Sequence, residues 1–298
     1  MPRHFLTGSE LTPADLDEIL DRAAALKAAP LSSRALEGRS VALLFQAPST
    51  RTRLSFEAGV FELGGHPLVL RETEMQLSRG ESLEDTARVF SRHVAAFGVR
   101  ITSHAAIEEL AAASAVPVFN MLTELHHPCQ ALADLLTMRE AFGRIAGHKI
   151  AYVGDGNNVA RSLALLGTLA DVQVAVASPE GYALADGEVE GLQLTGDPRE
   201  AVAGAHVVYA DVWVSMGDDE AEAGARRAAL APYLLDDALL DAAAPGAIAL
   251  HCLPAHPGEE ITAEVLYGDR QRIWDQAENR RHAQKALLEW LIGSAEHD

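Results

Sequence analysis

Residues 41–53 read Val-Ala-Leu-Leu-Phe-Gln-Ala-Pro-Ser-Thr-Arg-Thr-Arg, and this stretch decides the fold. The first five residues form an apolar run bounded by turn residues, which predicts a buried strand. Pro48 ends the strand, and Ser49 or Thr50 suits the N-cap of a helix that continues to Val60. A buried strand followed at once by a helix is the repeating unit of parallel α/β folds.

The start of this helix has the chemistry of an anion site. A helix N-terminus offers unpaired N–H groups and the positive end of the helix dipole. Arg51 and Arg53 add direct donors, and arginine can hold a phosphate through two parallel hydrogen bonds. The alternative is an ordinary cap followed by surface arginines, and this segment alone does not separate the two interpretations.

The composition limits the classes of protein to consider. With 298 residues the chain is long enough for two domains. Hydrophobic residues make up 48% but aromatic residues only 5%, so we expect an aliphatic core. Lys and Arg number 24 against 43 Asp and Glu, a net charge of −19. Such a chain repels nucleic acid and anionic membrane, so an anion site must be a local basic pocket.

Cellular location is predicted from what the sequence lacks. We find no apolar run of membrane-spanning length and no apolar stretch of signal-peptide length before Ser9. Cys129 and Cys252 are too far apart in sequence to suggest a disulfide framework. We expect a cytoplasmic protein with reduced thiols and no nucleic-acid or membrane partner.

Alternating strands and helices continue through the chain. In the first half we predict helices over 11–29, 82–90 and 128–142 and strands over 41–45, 67–70, 95–100 and 117–120. In the second half we predict strands over 150–153, 173–176, 206–209 and 247–250 and a last helix over 273–292.

This alternation predicts an α/β fold of two doubly wound parallel-sheet domains with an active-site cleft between them. We place the first domain at residues 1–136 and the second at 137–272. The C-terminal helix, 273–298, is expected to pack back on the first domain. In open parallel sheets, ligands bind outside the carboxyl ends of the strands. The residues at or just after predicted strand ends are Arg51, Arg100, His127, Asn157, Asp211 and Cys252.

Two other motifs have competing interpretations. Gly154-Asp155-Gly156 resembles the start of a dinucleotide fingerprint, but the third small residue is replaced by Val159, which favours a plain glycine corner. The His and Cys residues near 127 and 252 lack the spacing of a zinc site, so we expect no metal. Cys252 follows an apolar strand, where it is either a buried small hydrophobe or a reactive group.

The segment Asp211-Val-Trp-Val-Ser-Met-Gly217 suggests an amino-acid site. It offers a carboxylate for an ammonium group, the Ser215 hydroxyl and a backbone N–H at a glycine turn. The alternative is a strand followed by a turn, with Asp211 acting as a cap.

Taken in order, these segments resemble the aspartate/ornithine carbamoyltransferase family, and the resemblance covers essentially the whole chain. Ser-Met-Gly and His-Cys-Leu-Pro indicate ornithine rather than aspartate as the acceptor. The chain departs from the ornithine branch at Gln46-Ala47, where Glu-Lys is usual, and at Pro257. The matching segments are 45–57, 81–89, 127–130, 132–138, 154–158, 211–217, 251–256 and 277–280.

The resemblance implies an enzyme that transfers the carbamoyl group of carbamoyl phosphate to the δ-amine of L-ornithine, without cofactor or metal. It implies a homotrimer or a multiple of trimers, with Gln76 reaching a neighbour's phosphate site. Arg100, His127 and Cys252 would be catalytic. Ornithine would bind to Asn157, Asp211, Ser215 and Met216. Carbamoyl phosphate would bind to Ser49, Thr50, Arg51, Thr52, Gln76, Arg100, His127, Gln130, Cys252, Leu253 and Arg280.

Two alternatives remain at this point. The same chemistry serves another acceptor amine, such as putrescine or a substituted ornithine. A binding or regulatory relative would hold phosphate ligands without turnover, although the intact Arg51, Arg100, His127 and Arg280 argue against it.

Overall fold

The computed structural model describes residues 2–214 and 220–293, which fold as two compact units. The first unit comprises Met1–Leu136 and Glu278–Asp298, and the second comprises Thr137–Ala277. Every strand pair in both units is parallel, which confirms the predicted fold class.

The first unit is built on a four-stranded sheet, and each element predicted for it is present with slightly shifted ends. Its strands are β1 (Ser40–Phe45), β2 (His66–Arg71), β3 (Ala96–Arg100) and β4 (Val118–Leu122). Its helices are α1 (Pro13–Ala28), α2 (Thr50–Glu62), α3 (Leu83–Phe90), α4 (His104–Ala113) and the first part of α5 (Pro128–Phe142). The sheet order β2-β1-β3-β4 places the predicted strand β1 in the interior, where all but its first residue are buried.

The second unit contains a five-stranded sheet in the order β7-β6-β5-β8-β9. Its strands are β5 (Lys149–Val153), β6 (Gln173–Ala177), β7 (Gln193–Thr195), β8 (Val207–Ala210) and β9 (Ile248–His251). Its helices are α6 (Asn158–Leu169), α7 (Pro198–Val202), α8 (Glu220–Leu230), α9 (Asp237–Asp241), α10 (Ala263–Tyr267) and the start of α11 (Ile273–Gly293). The sequence did not predict β7, because an edge strand of three residues, two of them polar, leaves no periodic pattern.

No helix in the described residues combines the length and the hydropathy needed to cross a membrane.

The later part of α11 packs on the first unit, as predicted for the C-terminal helix. Leu287 is completely buried, and so is the side chain of Lys285. The Lys285 ammonium donates to Glu62 Oε2 at 2.5 Å and to the backbone carbonyls of Leu26 and Pro30 at 3.3 and 3.1 Å. These three acceptors match the three protons of the ammonium, so the buried charge is fully hydrogen-bonded. The pair links α11 to the last residue of α2.

We predict that Lys285→Met lowers the free energy of unfolding by about 3 kcal/mol, the lower end of the range for breaking a buried ion pair. The lower end applies because Arg281 remains 3.2 Å from Glu62. Urea unfolding measures the change.

The matched control for this measurement is Arg88→Met. Arg88 pairs with Glu84 on the surface, with side chains 64% and 53% exposed, so we expect a loss of about 0.5 kcal/mol or less. Equal losses in the two variants would contradict the assigned role of the buried pair.

Candidate functional site

The N-terminus of α2 has the features of the predicted anion site. Ser49 is the N-cap, and its side chain makes no capping hydrogen bond. The first turn contains no acidic residue, and Arg51 is half-buried within it. Arg53 differs from the expectation, because its Nε donates to Glu57 Oε1 at 2.8 Å on the exposed side of the helix. Arg51 is therefore the arginine suited to an anion, and Arg53 forms a surface ion pair.

Arg280 gathers three other predicted carbamoyl-phosphate ligands into one buried cluster. Its guanidinium donates to Thr52 Oγ1 at 2.9 Å and to Gln130 Oε1 at 2.7 Å, and it approaches His127 Nε2 at 3.4 Å. Each of these side chains belongs to a residue no more than 5% exposed. The cluster brings together residues from α2, α5 and α11 that are far apart in the sequence.

The amide of Gln130 is oriented by a residue that the sequence analysis missed. Gln130 Nε2 donates to Asp134 Oδ1 at 2.9 Å, one helical turn later in α5, so the amide oxygen faces Arg280. Asp134 is completely buried. The signal available in the sequence is an aspartate in an apolar helical stretch, four residues after a site residue.

His127 is held as a neutral imidazole. Burial, reinforced by the positive charges of Arg280 and Arg100, lowers the pKa of His127 well below its usual value. Burial likewise raises the pKa of the Cys129 thiol to about 12, and this thiol donates to the Asn120 carbonyl at 3.2 Å. Cys129 is therefore excluded as a thiolate nucleophile at neutral pH.

Arg100 ends β3, and Gln46 fixes the backbone at Arg100 and just after it. The Gln46 N–H donates to the Arg100 carbonyl at 2.9 Å, and Gln46 Oε1 accepts from the Thr102 N–H at 2.8 Å. Gln46 Nε2 lies 3.3 Å from Glu72 Oε1, where a glutamate side chain would face a like charge. The glutamine at position 46 thus fits its neighbours in this chain.

Gln76 lies apart, exposed in a short 3-10 helix, Gln76–Arg79.

In the second unit Asn157 and Asp211, two of the predicted ornithine ligands, meet Cys252 at the carboxyl ends of β5, β8 and β9. Asn157 Nδ2 donates to Asp211 Oδ2, and Cys252 Sγ donates to Asp211 Oδ1, both at 2.8 Å. The Val212 N–H also donates to Asp211 Oδ1 at 2.8 Å. Asp211 is only 5% exposed, and these three donors hold its carboxylate in one orientation, with a lone pair of Oδ2 left for a cation. Ser215 and Met216, the other predicted ornithine ligands, lie outside the described residues.

The glycine corner before Asn157 serves a tight turn. Gly154 has φ +131°, a conformation that L side chains rarely adopt. A Cβ on Gly156 would lie 2.6 Å from the Leu184 backbone nitrogen, so the close approach of two chain segments requires glycine. Asn157 then caps α6, with Oδ1 accepting from the N–H groups of Val159 and Ala160. The corner places the Asn157 amide beside Asp211.

His251 supports the turn that carries Cys252 and Leu253. Its Nδ1 accepts from the Leu253 N–H at 2.8 Å, and its Nε2 contacts Glu260 Oε1 at 3.1 Å. Leu253 has φ +61°, an uncommon conformation for a residue with a branched side chain. Ligand atoms of Asp211, His251 and Cys252 come within 4.8 Å of one another. Both His251 nitrogens already have partners, so these residues form a hydrogen-bonded network rather than a ready set of metal ligands.

Arg226 is a further contact that the sequence did not indicate. From α8 it donates to the Trp213 carbonyl at 2.6 Å and to Asp155 Oδ2 at 2.5 Å. It therefore ties the segment after Asp211 to the glycine corner. No motif marks Arg226, because its role depends on the chain returning through α8.

Each unit is an open parallel α/β sheet with buried polar side chains at the carboxyl ends of its strands. This is the arrangement in which α/β enzymes bind small molecules. Residues 3–140 match the family model described as aspartate/ornithine carbamoyltransferase, carbamoyl-P binding domain. Residues 146–291 match the model of the Asp/Orn binding domain of the same family. The chain belongs to the aspartate/ornithine carbamoyltransferase family.

Individual relatives agree with this assignment. An ornithine carbamoyltransferase from Acidothermus cellulolyticus is 53% identical over 99% of this chain and 98% of its own length. The solved ornithine carbamoyltransferase from Pyrococcus furiosus is 44% identical, with a TM-score of 0.93 over 98% of this chain and 97% of that one. A solved N-acetyl-L-ornithine transcarbamylase is 31% identical, with a TM-score of 0.86 over 97% of this chain and all (100%) of that one.

We predict that Arg51→Ala weakens the binding of inorganic phosphate about ten- to a hundredfold, the effect of losing one charge-assisted hydrogen bond. Calorimetric titration of the whole enzyme measures the affinity. The matched control is Arg53→Ala, in which only the surface pair with Glu57 is lost and phosphate affinity stays within about twofold. Equal losses in both variants would remove the distinction drawn between the two arginines.

Proposed function

We propose that this chain transfers the carbamoyl group of carbamoyl phosphate to the δ-amine of L-ornithine, producing L-citrulline and phosphate in arginine biosynthesis. One observation carries the proposal. Thr52, His127, Gln130 and Arg280, which the family resemblance assigns to one substrate, converge in a single buried cluster through direct contacts. The first unit would bind carbamoyl phosphate, and the second would bind ornithine.

Carbamoyl phosphate would be held by its phosphate and activated at its carbonyl. Ser49, Thr50, Arg51 and Thr52 offer hydroxyl, guanidinium and helix N–H donors to the phosphate. Arg100, His127 and Thr52 would stabilise the charge that develops on the carbonyl oxygen in the tetrahedral intermediate. Thr52 Oγ1 accepts from Arg280, which leaves the hydroxyl proton of Thr52 for donation to substrate. Gln130 and Arg280 would orient the carbamoyl group.

Ornithine would be held by its amino-acid group and attack with its δ-amine. Asp211 supplies the carboxylate for the α-ammonium, and Asn157, Ser215 and the Met216 backbone complete the proposed head-group site. Cys252 and the Leu253 carbonyl would orient the δ-amine. The neutral amine attacks the carbamoyl carbon, the C–O bond to phosphate then breaks, and the proton that the attacking nitrogen loses passes to the departing phosphate. Phosphate is a good leaving group and the neutral amine is a good nucleophile, so positioning and electrostatics suffice for the reaction.

An assay of phosphate release and of the ureido product, with a panel of acceptors, tests the proposal. L-Ornithine, N-acetyl-L-ornithine and putrescine share a primary amine but differ in the head group. Putrescine lacks the carboxylate and N-acetyl-L-ornithine lacks the α-ammonium, so we expect ornithine to have a kcat/KM at least about tenfold higher than either. A faster reaction with another amine would assign a different acceptor. Tight phosphate binding without any carbamoyl transfer would favour a regulatory relative.

We further propose that the chain assembles as a homotrimer, or a multiple of trimers, in the cytoplasm. The family resemblance supports this assembly, with Gln76 reaching the phosphate site of a neighbour. The exposure of Gln76 suits such a contact. Sedimentation velocity measures the assembly, and a monomer at assay concentration would contradict the trimer.

We predict that Asp211→Asn raises the KM for ornithine by about ten- to a hundredfold, because the variant loses the charge that pairs with the α-ammonium. The KM for carbamoyl phosphate should change by less than about twofold. Steady-state kinetics with each substrate varied in turn separates the two effects. Equal increases in both KM values would show a general loss of structure instead of a lost head-group contact.

We predict that kcat/KM for ornithine rises with pH from neutral into the alkaline range. The attacking amine must be neutral, whereas a free alkylammonium has a pKa of about 10.4. The lowered pKa of His127 keeps its imidazole neutral throughout the range in which an ordinary histidine titrates, so His127 does not produce this rise. His127→Gln should lower the rate at every pH and keep the slope.

The pH profiles of wild type and His127→Gln test both parts of this account. A wild-type profile that is flat or falling between about pH 6 and pH 9 would contradict control by the amine. Loss of the slope in His127→Gln alone would make His127 the general base.

A further inference from the structure

Tyr152 donates to the head-group site from inside the second sheet. It lies near the end of β5, completely buried, and its hydroxyl lies 3.2 Å from Asn157 Oδ1. Asn157 Oδ1 also accepts from the backbone N–H groups of Val159 and Ala160, at 2.9 and 3.2 Å. Because backbone N–H groups identify this atom as the amide oxygen, the Tyr152 hydroxyl must be the donor.

The direction of this hydrogen bond decides where the other end of the amide points. With Oδ1 held by donors on one side, Asn157 Nδ2 faces Asp211 Oδ2 at 2.8 Å. The result is a chain of hydrogen bonds from Tyr152 through Asn157 to Asp211. Cys252 Sγ donates to the second oxygen of that carboxylate. Of the four residues linked by these hydrogen bonds, Tyr152 is the one that belongs to a strand of the sheet.

The ring of Tyr152 is fixed independently of its hydroxyl. Tyr152 pairs with Tyr209 on β8 in the strand register, and the two rings stack with centroids 5.6 Å apart. Removing the hydroxyl therefore leaves the ring in place. Burial, together with the nearby Asp211, raises the pKa of Tyr152 well above its usual value, so the hydroxyl keeps its proton throughout the working pH range.

We propose that Tyr152 is a positioning residue for the amino-acid head group of the acceptor: it orients the Asn157 amide, which in turn orients the Asp211 carboxylate. Tyr152 does not touch the acceptor. It selects acceptors that carry an α-amino acid group, because only these use the Asn157–Asp211 pair. This inference rests on the proposed function for the identity of the acceptor.

The experiment compares Tyr152→Phe with wild type in the whole enzyme. L-Norvaline keeps the α-amino acid group of ornithine but lacks the δ-amine, so it binds without turnover in the presence of carbamoyl phosphate. We expect the Kd for norvaline and the KM for ornithine to rise together, about three- to tenfold, the effect of one neutral hydrogen bond. The kcat and the KM for carbamoyl phosphate should stay within about twofold.

Tyr233→Phe is the matched control. Tyr233 is also buried in the second unit, and its hydroxyl donates to the Gly196 carbonyl at 2.7 Å, outside the Tyr152–Asn157–Asp211 chain. Tyr233→Phe also loses one buried hydrogen bond, so its stability should fall as in Tyr152→Phe. Its norvaline affinity should not change. For a variant of reduced stability, the rise in melting temperature on adding norvaline compares norvaline binding with that of wild type.

Unchanged norvaline affinity in Tyr152→Phe, or an equal loss in Tyr233→Phe, would overturn the inference. Equal rises in the KM values of both substrates would overturn it as well, since they would indicate general damage. If wild type forms no citrulline, the proposed reaction fails, whereas norvaline binding still decides the role of Tyr152.

Discussion

The carbamoyl-phosphate site depends on the hydrogen bonds and the positive charge of the buried Arg280 guanidinium. A charge with so little exposure to water must be surrounded by hydrogen-bond acceptors, because an unsatisfied buried charge is strongly destabilising. Arg280 therefore fixes Thr52 and Gln130 through direct donation and places its positive charge beside His127. The same charge contributes to the lowered pKa of His127, after burial itself. One residue thus sets the geometry of this group of side chains and helps to keep His127 neutral.

In the second unit the Asp211 carboxylate has the corresponding role, because it holds several side chains together. Asp211 accepts from Asn157 on one oxygen and from Cys252 on the other. Asp211 and these two donors lie in turns that follow three neighbouring parallel strands, where the carboxyl ends of the strands lie at the same edge of the sheet. The strand order β5-β8-β9 is therefore the reason that residues at positions 157, 211 and 252 meet. A cationic centre in the first unit and an anionic centre in the second suit an acyl phosphate and an amino acid.

The sequence predicted the strands and helices that have long apolar runs. It also predicted the candidate site residues that come directly after the strands. It failed where the pattern is short or the contact is distant. The edge strand β7 has no periodic signal, and Arg53 shares the motif of Arg51 but turns to Glu57. Asp134 and Tyr152 act through Gln130 and Asn157, so their roles become visible only when the side chains are placed.

Calorimetry of carbamoyl phosphate binding to Arg280→Met tests the central claim most directly. Methionine fills much of the same space and removes the charge and all donors, and circular dichroism together with the melting temperature establishes that the variant is folded. We expect carbamoyl phosphate affinity to fall by at least about a hundredfold in this folded variant, because Thr52, His127 and Gln130 lose their common partner. A folded Arg280→Met enzyme that binds carbamoyl phosphate with nearly wild-type affinity would contradict the account.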